Sequence, residues 1–597
     1  MTQPIIPPTI DDISMKEFDP EITGKLFSFI KPYRGTFLVS LVMMVIAAVA
    51  GVAGPYLVKL ALDSGLSAHS LPALETAVLL YLFTAVVQWG STYSRVNTMA
   101  RVAQSIIQDV RMQLFTHLQE LSLNFYNRYS VGRVIVRVVN DVNVLQDFLT
   151  WALLAIVRDV LTLVGILIAM LSMDASLSLI TFTVIPLMAV ATILFRKRAR
   201  QNYRKARAAM SWVNSVLAEN INGVRVVQSF SRQATNYDFF SNTVNQYNLN
   251  INVDTAKISS IFFPTIDFLG YFATALVVWL GGAAALGQHI TPGVLVAFVL
   301  YIARFFEPIR DLSQRYDAMQ STMASGERIL GLLEAPVELG DQPGAVELPR
   351  MAGAVEFNQV SFHYPDDDQL VLDDINMKVK PGETVALVGK TGAGKTTLVK
   401  LIARFHDVTA GQVLIDGYDV RQVTQKSLRS QLGIVLQDPF LFSGSVLDNI
   451  RFGRLDATEA EVEAAARAVG AHEFITHLKD GYETPVEEGG VMLSVGQRQL
   501  ISFARALLAD PRILILDEAT SSIDTQTEKI IQQALSRLLK GRTAFVIAHR
   551  LSTITNADRI VVIQNGHVQE EGTHTELLAR QGIYFNLYSM RFEEGEE

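Results

Sequence analysis

The chain has no cysteine among its 597 residues, which excludes disulfide bonds and metal sites built from thiolates. This absence fits a prokaryotic protein, and it fits equally a variant from which cysteine was removed. A sustained basic stripe is also missing, and the formal charge of −8 argues against nucleic acid as a partner. The segment Met1–Asp19 is polar and acidic and contains proline, so it predicts no cleavable signal peptide.

Charged residues are few, at 18% of the chain, whereas 49% of the residues are hydrophobic. A membrane half joined to a soluble half accounts for this mixture, and the length indicates at least two domains. Three uncharged runs of 23, 19 and 21 residues are long enough to cross a hydrocarbon layer of about 30 Å as helices. They are Thr36–Val58, Thr76–Ser94 and Ala175–Phe195.

Three further spans are predicted from less regular runs, which brings the expected count to six. Leu154–Met173 is apolar except for Arg158 and Asp159 near its start. Residues 268–303 carry no charge, and Gly287–Gly293 divides them into two spans joined by a tight turn. The alternative, buried core helices of a large soluble protein, is disfavoured by the lengths of these runs.

The distribution of basic residues predicts the orientation. Lys and Arg are absent from 60–94, 160–195 and 258–303, which hold the predicted outer loops. Basic residues collect in the connections 96–150 and 196–257. The positive-inside pattern therefore predicts a multi-pass protein of the cell's inner (plasma) membrane, with both connections and both termini in the cytoplasm.

The two long connections are predicted to be helical extensions beyond the bilayer, because apolar residues recur at helical spacing in the first of them. Each has a break midway, at Asn124–Arg128 and at Asn220–Gly223, where we expect a short transverse helix that contacts a cytoplasmic domain. Plain solvated loops are the alternative. Ile22–Tyr33 has the pattern of an amphipathic helix lying along the inner membrane surface.

The second half alternates short β-rich runs with helical ones, which indicates an α/β domain with a partly parallel sheet. The expected strands are Ala354–Val360, Thr384–Val388, Val413–Ile415, Ile513–Leu516, Thr543–Ile547 and Arg559–Ile563. The segment before them is rich in proline and glycine and has no regular period. We therefore expect a flexible tail at 1–21, a transmembrane domain at 22–334, a linker at 335–352 and the α/β domain at 353–597.

Gly389–Thr396 reads Gly-Lys-Thr-Gly-Ala-Gly-Lys-Thr between the strand Val385–Val388 and a predicted helix Lys395–Arg404, which is the context of a phosphate-binding loop. Glycine lets backbone N–H groups close around phosphate oxygens, and the helix N-terminus adds a favourable dipole. Lys395 is expected to contact the β- and γ-phosphates of ATP, and Thr396 to bind Mg²⁺. The loop residues assigned to ATP are Gly389, Thr391, Gly392, Gly394, Lys395, Thr396 and Thr397.

Asp517 ends an apolar strand, where a carboxylate can hold the metal ion, and Glu518 follows it. Glu518 points to the other side of the strand end and is predicted to polarise the attacking water. An exposed strand end that happens to carry two acids is the alternative. The predicted fold is an all-α membrane domain of six transmembrane helices with long cytoplasmic extensions, fused to an α/β P-loop nucleotide-binding domain.

With these motifs, nearly all of the chain after about residue 22 resembles an ATP-binding cassette (ABC) exporter half-transporter of the bacterial multidrug and lipid exporter type. Leu493–Gln497 is similar to the family signature LSGGQ, which binds the γ-phosphate of an ATP held by the opposite subunit. The resemblance implies that Ser494, Gly496 and Gln497 act on the partner's nucleotide. It follows that two half-transporters are needed to complete either site.

The resemblance also assigns roles to residues whose neighbouring sequence does not decide their function. Tyr364 matches the aromatic residue that stacks on adenine, although a packed strand tyrosine is the alternative. Gln437 matches the glutamine that senses Mg²⁺ and the attacking water. His549 matches the histidine that contacts the γ-phosphate, with a surface His-Arg pair as the alternative. Ser521–Asp524 resembles the loop that crosses the dimer interface.

Two departures from the family pattern concern the signature. Val495 replaces its first glycine, and Glu487–Gly490 differs from the usual preceding segment. Val495 keeps its N–H, so the contact survives if φ is negative, whereas a positive φ would be strained. Related heterodimers include subunits that keep the glutamate and carry an altered signature, so a heterodimer is weakly favoured over a homodimer.

The resemblance implies ATP-driven export of an amphipathic substrate, such as drugs or lipids, by alternating access in a dimer. An ATP-gated channel or regulator is the alternative, and an importer or a soluble ATPase is disfavoured by the fused spans. Asp267 and Arg304 lie near the inner ends of the fifth and sixth predicted spans. A structural pair between them is favoured over substrate contact.

Overall fold

The structure, a computed structural model, describes residues 20–148, 153–365, 367, 369–517, 525–548 and 551–590. The chain divides into two compact units. The first comprises Met1–Gln119 and Ser130–Ala335, and the second comprises Glu120–Tyr129 and Pro336–Glu597. Most of the predicted N-terminal tail lies outside the described residues.

The first half of the chain is helical in its described part, which agrees with the predicted all-α membrane domain. The helices are α1 Pro20–Ser28, α2 Arg34–Leu60, α3 Leu71–Glu120, α4 Leu123–Arg128, α5 Val131–Val136, α6 Val142–Asp147, α7 Leu153–Met173, α8 Ala175–Phe182, α9 Val184–Asn222, α10 Val224–Ser229, α11 Gln233–Phe239, α12 Gln246–Leu286 and α13 Pro292–Leu333. A 3₁₀ turn at Lys31–Tyr33 and π-helical turns at Ala61–Ser67, Arg137–Asp141 and Phe240–Asn245 adjoin them.

Five helical segments among the described residues are long and apolar enough to cross a membrane. They are Lys31–Ser67, Leu71–Glu120, Leu154–Met173, Ala175–Phe195 and Gln233–Leu286. The sixth predicted span falls on α13, a helix of 42 residues that is not one of these five. The membrane character of this half is therefore confirmed, and the count of six stays a prediction.

Local side chains explain the tight turns between spans. The Asp174 carboxylate accepts the N–H of Leu177 at 2.7 Å, which caps α8 immediately after α7 ends. Thr291 caps α13 in the same way, and Pro292 at the first helical position has no N–H left to satisfy. Asp63 accepts the Thr291 hydroxyl at 2.5 Å and the Gly293 N–H at 2.9 Å, which ties the end of α2 to the start of α13.

The predicted extensions and breaks of the two long connections are confirmed. α3 continues to Glu120 and α9 to Asn222, well past the apolar runs in which they begin. Asn124–Arg128 lies within the short helix α4. α9 runs on to Asn222, so the second break is confined to Gly223, and the short helix α10 follows it; neither break is a plain loop. α4 groups with the second unit, where Ser122 and Asn124 donate to the carboxylate of Glu338 at 2.8 and 3.2 Å.

The second unit contains two main sheets. The strands are β1 Val355–Phe362, β2 Leu372–Val379, β3 Thr384–Val388, β4 Ala410–Ile415, β5 Tyr418–Asp419, β6 Leu432–Val435, β7 Gly444–Ser445, β8 Pro485–Val486, β9 Ile513–Asp517, β10 Thr543–Ile547, β11 Arg559–Gln564 and β12 His567–Gly572. One sheet has the antiparallel order β2-β1-β4-β5. The larger sheet has the order β12-β11-β3-β10-β9-β6, with all neighbours parallel except β12.

The helices of the second unit surround these sheets. They are α14 Lys395–Ile402, α15 Gln425–Arg429, α16 Val446–Arg451, α17 Glu459–Ala468, α18 His472–His477, α19 Val495–Leu508, α20 Thr525–Leu539, α21 Leu551–Thr555, α22 His574–Arg580 and α23 Ile583–Tyr588. All six predicted strands are present, which confirms the α/β fold with a partly parallel sheet. The prediction missed β2 and β12, whose charged residues interrupt an apolar pattern, and β6, which has only four residues. It also missed β5, β7 and β8, which have two residues each.

Successive residues of the central strands face two separate hydrophobic layers, as alternation in a strand requires. Ile513 and Ile515 of β9 pack with α14 and the antiparallel sheet. Leu514 and Leu516 pack with α16, α17 and α19 on the opposite face. The larger sheet therefore separates α14 from α19.

Candidate functional site

The predicted phosphate and metal residues lie at one edge of the larger sheet. Strands β3, β10, β9 and β6 are consecutive neighbours and parallel, so their carboxyl ends meet at the same edge. The phosphate loop follows β3, Asp517 ends β9, and Gln437 lies two residues after β6. Ligands of open α/β sheets bind at such a carboxyl edge.

Close packing explains two glycines of the phosphate loop. A Cβ on Gly389 would lie 2.2 Å from the carbonyl oxygen of Ile563 in the neighbouring strand β11, so no side chain fits there. Gly394 has a φ of +105°, and a Cβ would also meet Leu372 at 2.6 Å. The loop can therefore turn from β3 directly into the N-terminus of α14 only with glycine at these points.

Lys395 is held inside the loop. Its side chain is buried, with a relative exposure of 7%, and Nζ donates to the carbonyl oxygens of Gly389 and Lys390 at 2.8 and 2.9 Å. These carbonyls compensate the buried ammonium group and fix it beside the N-terminus of α14. The arrangement fits a phosphate group, because a cation, loop amides and a helix dipole converge on one place.

The two threonines after Lys395 face in different directions. Thr396 is exposed at the start of α14, which fits the predicted metal ligand. Thr397 is buried, and its hydroxyl lies 3.1 Å from the Tyr364 hydroxyl. The Tyr364 ring packs edge-on against Phe362 and His406 at centroid distances of 5.0 and 5.3 Å.

Tyr364 thus lies just after β1, half-buried, with its hydroxyl anchored to the helix that carries the phosphate loop. Burial lowers the pKa of His406, with a smaller contribution from the charge of Lys400, so the imidazole beside Tyr364 is neutral at pH 7. The sequence suggested Tyr364 by its distance from the loop but gave no sign of its bond to Thr397. Adenine stacking on Tyr364 stays a prediction.

Asp517 is half-buried at the end of β9, and its register partner is Ile547 at the end of β10. β10 pairs with β3 on its other side, so a single strand, β10, separates Asp517 from the strand that leads into the phosphate loop. Gln437 is exposed beyond β6, the neighbour of β9. Of the predicted residues, Glu518 and His549 lie outside the described residues, as does the loop Ser521–Asp524.

The predicted signature residues form the N-terminus of α19. Ser494 caps the helix: its hydroxyl accepts the Gln497 N–H at 3.2 Å, and the Gln497 side chain accepts the Ser494 N–H at 2.9 Å. Val495 is the first residue of the helix and has a negative φ, so valine is unstrained here. Gly496 is buried at the second position.

The signature residues and the phosphate loop belong to opposite faces of the sheet. Leu398 and Val399 of α14 pack in the layer shared with the antiparallel sheet. Leu500 and Ile501 of α19 pack in the other layer, with α16 and α17. One chain therefore presents the two groups on different sides of its own sheet.

The predicted Asp267–Arg304 pair is wrong. Among the described residues, Arg304 donates to the carbonyl oxygen of Gly51, because this part of α13 faces α2. The contact of Ser122 and Asn124 with Glu338 was not anticipated either. The predicted helix break at 124–128 indicated the segment that makes this contact, but nothing in the sequence pointed to Glu338 as its partner.

Comparison with known proteins agrees with this geometry over both halves of the chain. The family described as ABC transporter transmembrane region matches residues 37–309, and the family described as ABC transporter matches residues 372–521. An uncharacterized ABC transporter ATP-binding protein of Bacillus subtilis, YknV, is 41% identical over 98% of this chain and 96% of its own length.

Two further relatives carry functional names. An ATP-dependent lipid A-core flippase of Syntrophus aciditrophicus is 38% identical over 97% of this chain and 96% of its own length. A putative multidrug export ATP-binding/permease protein of Bacillus subtilis, YgaD, is 39% identical over 96% of this chain and 99% of its own length. The similarity therefore extends over both the helical unit and the α/β unit.

Proposed function

This chain belongs to the ABC transporter family, with a transmembrane region and an ATP-hydrolysing domain fused in one polypeptide, and we propose that it exports an amphipathic substrate, such as a drug or lipid, as one half of a dimer. It is an ATP-driven exporter. The observation that carries the proposal is the convergence of Lys395, Asp517 and Gln437 at one sheet edge in a chain with apolar membrane helices. Its relatives' names, lipid A-core flippase and multidrug export protein, support the substrate class.

The phosphate loop supplies binding and orientation. We assign Lys395 and the amides of Gly389–Thr397 to the phosphates of ATP, since the loop already holds the ammonium at the start of α14. Thr396, Gln437 and Asp517 present oxygen atoms, the ligands that Mg²⁺ prefers. When bound, Mg²⁺ neutralises negative charge on the β- and γ-phosphates.

The chemical step is assigned to residues that follow the central strands. Glu518 comes directly after the metal ligand Asp517 and is proposed to orient and polarise the attacking water. His549 comes two residues after β10 and is proposed to contact the γ-phosphate. Both positions follow strands whose carboxyl ends lie at the same sheet edge as the phosphate loop.

The two faces of the sheet support the need for a second subunit. Ser494, Gly496 and Gln497 lie at the N-terminus of α19, which packs on the face opposite the phosphate-loop helix. This placement supports a site in which a γ-phosphate bound at Lys395 meets the signature residues of another chain. We propose head-to-tail pairing of two α/β units, with Tyr364 stacking on the adenine of the same chain's nucleotide, and a heterodimer weakly preferred.

The proposed location is the inner (plasma) membrane, with both termini and the α/β unit in the cytoplasm. The Lys- and Arg-free stretches and the basic connections support this orientation. ATP binding would close the paired α/β units and switch access from the cytoplasm to the exterior, and hydrolysis would reset it. In sequence, α4 lies between helices of the first unit, but it groups with the second unit. We therefore assign α4 to transmit closure of the α/β units to the membrane helices.

Uphill transport separates a pump from an ATP-gated channel. Inside-out vesicles containing the protein should accumulate a fluorescent amphipathic drug above its external concentration when ATP is added. The Glu518→Gln variant, with the corresponding glutamate of any partner also removed, should bind ATP normally but lose nearly all hydrolysis and accumulation. ATP-dependent leak without accumulation would indicate a channel, and a wild-type hydrolysis rate in Glu518→Gln would overturn the assignment of the glutamate.

A further inference from the structure

Three arginines that end the Lys- and Arg-free stretches line one cavity in the helical unit. Arg95 follows the stretch 60–94, Arg158 lies just before 160–195, and Arg304 follows 258–303. The cavity has a volume of about 390 Å³ and lies among α2, α3, α7 and α13. Because each arginine marks the cytoplasmic limit of a predicted span, the cavity lies at the level of the inner leaflet.

The cavity holds one more arginine than carboxylates. Arg158 donates to the buried carboxylate of Asp159 at 2.9 Å, and Arg304 donates to the carbonyl oxygen of Gly51. Glu307 supplies the second carboxylate and is exposed. Arg95 is half-buried, and its side chain has no hydrogen bond or ion pair within the described part of the chain.

Arg95 and Arg158 line the same cavity, so their two positive charges face one hollow. Arg158 has the Asp159 carboxylate as a partner, whereas the Arg95 side chain has no anionic partner within the described part of the chain. Ionisable residues at membrane depth usually pair with one another or serve a substrate pathway. A phosphate or carboxylate in the cavity would give Arg95 an anionic partner. Guanidinium groups bind these anions with two parallel hydrogen bonds, which lysine cannot reproduce.

An open aromatic groove lies beside this cavity, along one face of α3. Gln88 and Thr92 line both hollows, and the groove has a volume of about 680 Å³. Its walls include Trp89 and Tyr93, which are 72% and 64% exposed and stack with a centroid distance of 6.2 Å. Amphipathic aromatic rings of this kind supply apolar surface for a hydrocarbon tail.

We propose that the basic cavity and the aromatic groove form one substrate site for amphiphiles with an anionic head group, a phosphate or a carboxylate. The head group lies between Arg95 and Arg158, and the tail lies along Trp89 and Tyr93. The inference rests on the proposed export function and adds the substrate's charge and the residues that select it. Neither a cationic amphiphile nor a soluble anion without a tail would satisfy both parts of the site.

The test is equilibrium binding to the full-length, nucleotide-free protein in nanodiscs of zwitterionic lipid. Two probes share a twelve-carbon tail and differ in their head groups: dodecyl phosphate and dodecyltrimethylammonium. The unmodified protein should bind dodecyl phosphate more tightly by about tenfold or more, as expected for one charge-assisted hydrogen-bonded pair. This comparison needs no substitution, so misfolding of a variant cannot obscure it.

Variants of α3 then assign the selectivity to residues. Arg95→Gln should remove most of the preference for dodecyl phosphate, and Arg95→Lys should keep a part of it, because the charge remains without the two-pronged geometry. Arg101→Gln is the matched control: it makes the same change on the same helix at an exposed position outside the cavity. Trp89→Ala should weaken both probes by similar factors, since it affects only the tail.

Two results would overturn the proposal: equal affinity of the unmodified protein for the two probes, or an effect of Arg95→Gln no larger than that of Arg101→Gln. Binding is measured without nucleotide, so it does not depend on transport. ATP-driven accumulation without head-group preference would therefore defeat this inference alone. Failure of ATP-driven accumulation would count against the proposed function, whatever the binding result.

Discussion

Gly389 begins the phosphate loop where the carbonyl oxygen of Ile563 leaves no room for a side chain. A methyl group there would lie 2.2 Å from that oxygen, well inside contact distance, and strand β11 is paired with β3 and cannot yield. The size of this residue is therefore set by a neighbouring strand that is 174 positions further along the chain. No motif based on phosphate contact alone explains that requirement.

Gly389→Ala should abolish ATP binding in otherwise folded protein, because relief of the clash moves the loop away from the ammonium of Lys395. Binding of a fluorescent ATP analogue to the purified full-length protein measures the effect. Gly340→Ala is the control, since a Cβ at Gly340 meets nothing within 4 Å. Unchanged nucleotide affinity in Gly389→Ala would show that the loop accommodates a side chain.

Val495 illustrates a departure from a family pattern that the backbone tolerates. It occupies the first position of α19, with a negative φ, and the capping hydrogen bonds between Ser494 and Gln497 are both made. Valine costs little at such a position, because its φ is negative and its side chain is exposed. The altered signature is therefore compatible with a formed helix N-terminus.

At the scale of elements, a buried carboxylate joins two parts of the helical unit that are distant in sequence. Asp141, in the π-helical turn after α5, has a relative exposure of 4%. It accepts the hydroxyl of Ser325 at 2.9 Å and two N–H groups of Arg328 at 2.8 and 2.6 Å, both residues on α13. The carboxylate is thus fully engaged in holding that turn to α13.

Asp141→Asn should destabilise the helical unit, because the amide cannot accept both guanidinium N–H groups and leaves buried polar atoms unsatisfied. The expected cost is about 1–3 kcal/mol, toward the lower end since Arg328 is partly exposed and can reach water. The melting temperature of the detergent-solubilised protein measures it.

The control for Asp141→Asn is Asp254→Asn, which breaks an exposed pair with Lys257 in the same unit. Exposed pairs contribute about 0–1 kcal/mol, so this variant should melt close to the unmodified protein. Equal melting temperatures for the two variants would mean that the Asp141 contacts add no more than a surface pair does.

At the scale of the whole molecule, the placement of α14 and α19 on opposite faces predicts how two chains share a site. Consider dimers purified through two different tags. In the first dimer, one copy carries Lys395→Ala and the other carries Ser494→Ala. If each site combines the loop of one chain with the signature of the other, this dimer keeps one complete site. In the second dimer, one copy carries both substitutions and the other is unmodified, so neither site is complete.

ATP hydrolysis should therefore survive in the dimer that distributes the substitutions and be nearly lost in the dimer that concentrates them. Dimers in which both copies carry Lys395→Ala, or both carry Ser494→Ala, provide the inactive references. The reverse order of activity would show that loop and signature of one chain act together, which contradicts the proposed pairing.

Local patterns were sufficient for much of the fold and site. Uncharged runs located the membrane helices, and six apolar runs located strands, because both depend on residues close in sequence. The phosphate loop was recognisable for the same reason, since its strand, glycines and helix are contiguous. The missed strands β2 and β12 are held in place by neighbours rather than by an apolar pattern of their own.

The sequence by itself determined the order of spans and strands, the phosphate loop and the residues of the signature, because each is encoded in a contiguous run. Only the tertiary structure decided which distant residues meet: Arg304 with Gly51 and not Asp267, Thr397 with Tyr364, and three arginines around one cavity. It also decided that loop and signature lie on opposite sheet faces. Such pairings depend on how helices and strands pack, which no local spacing specifies.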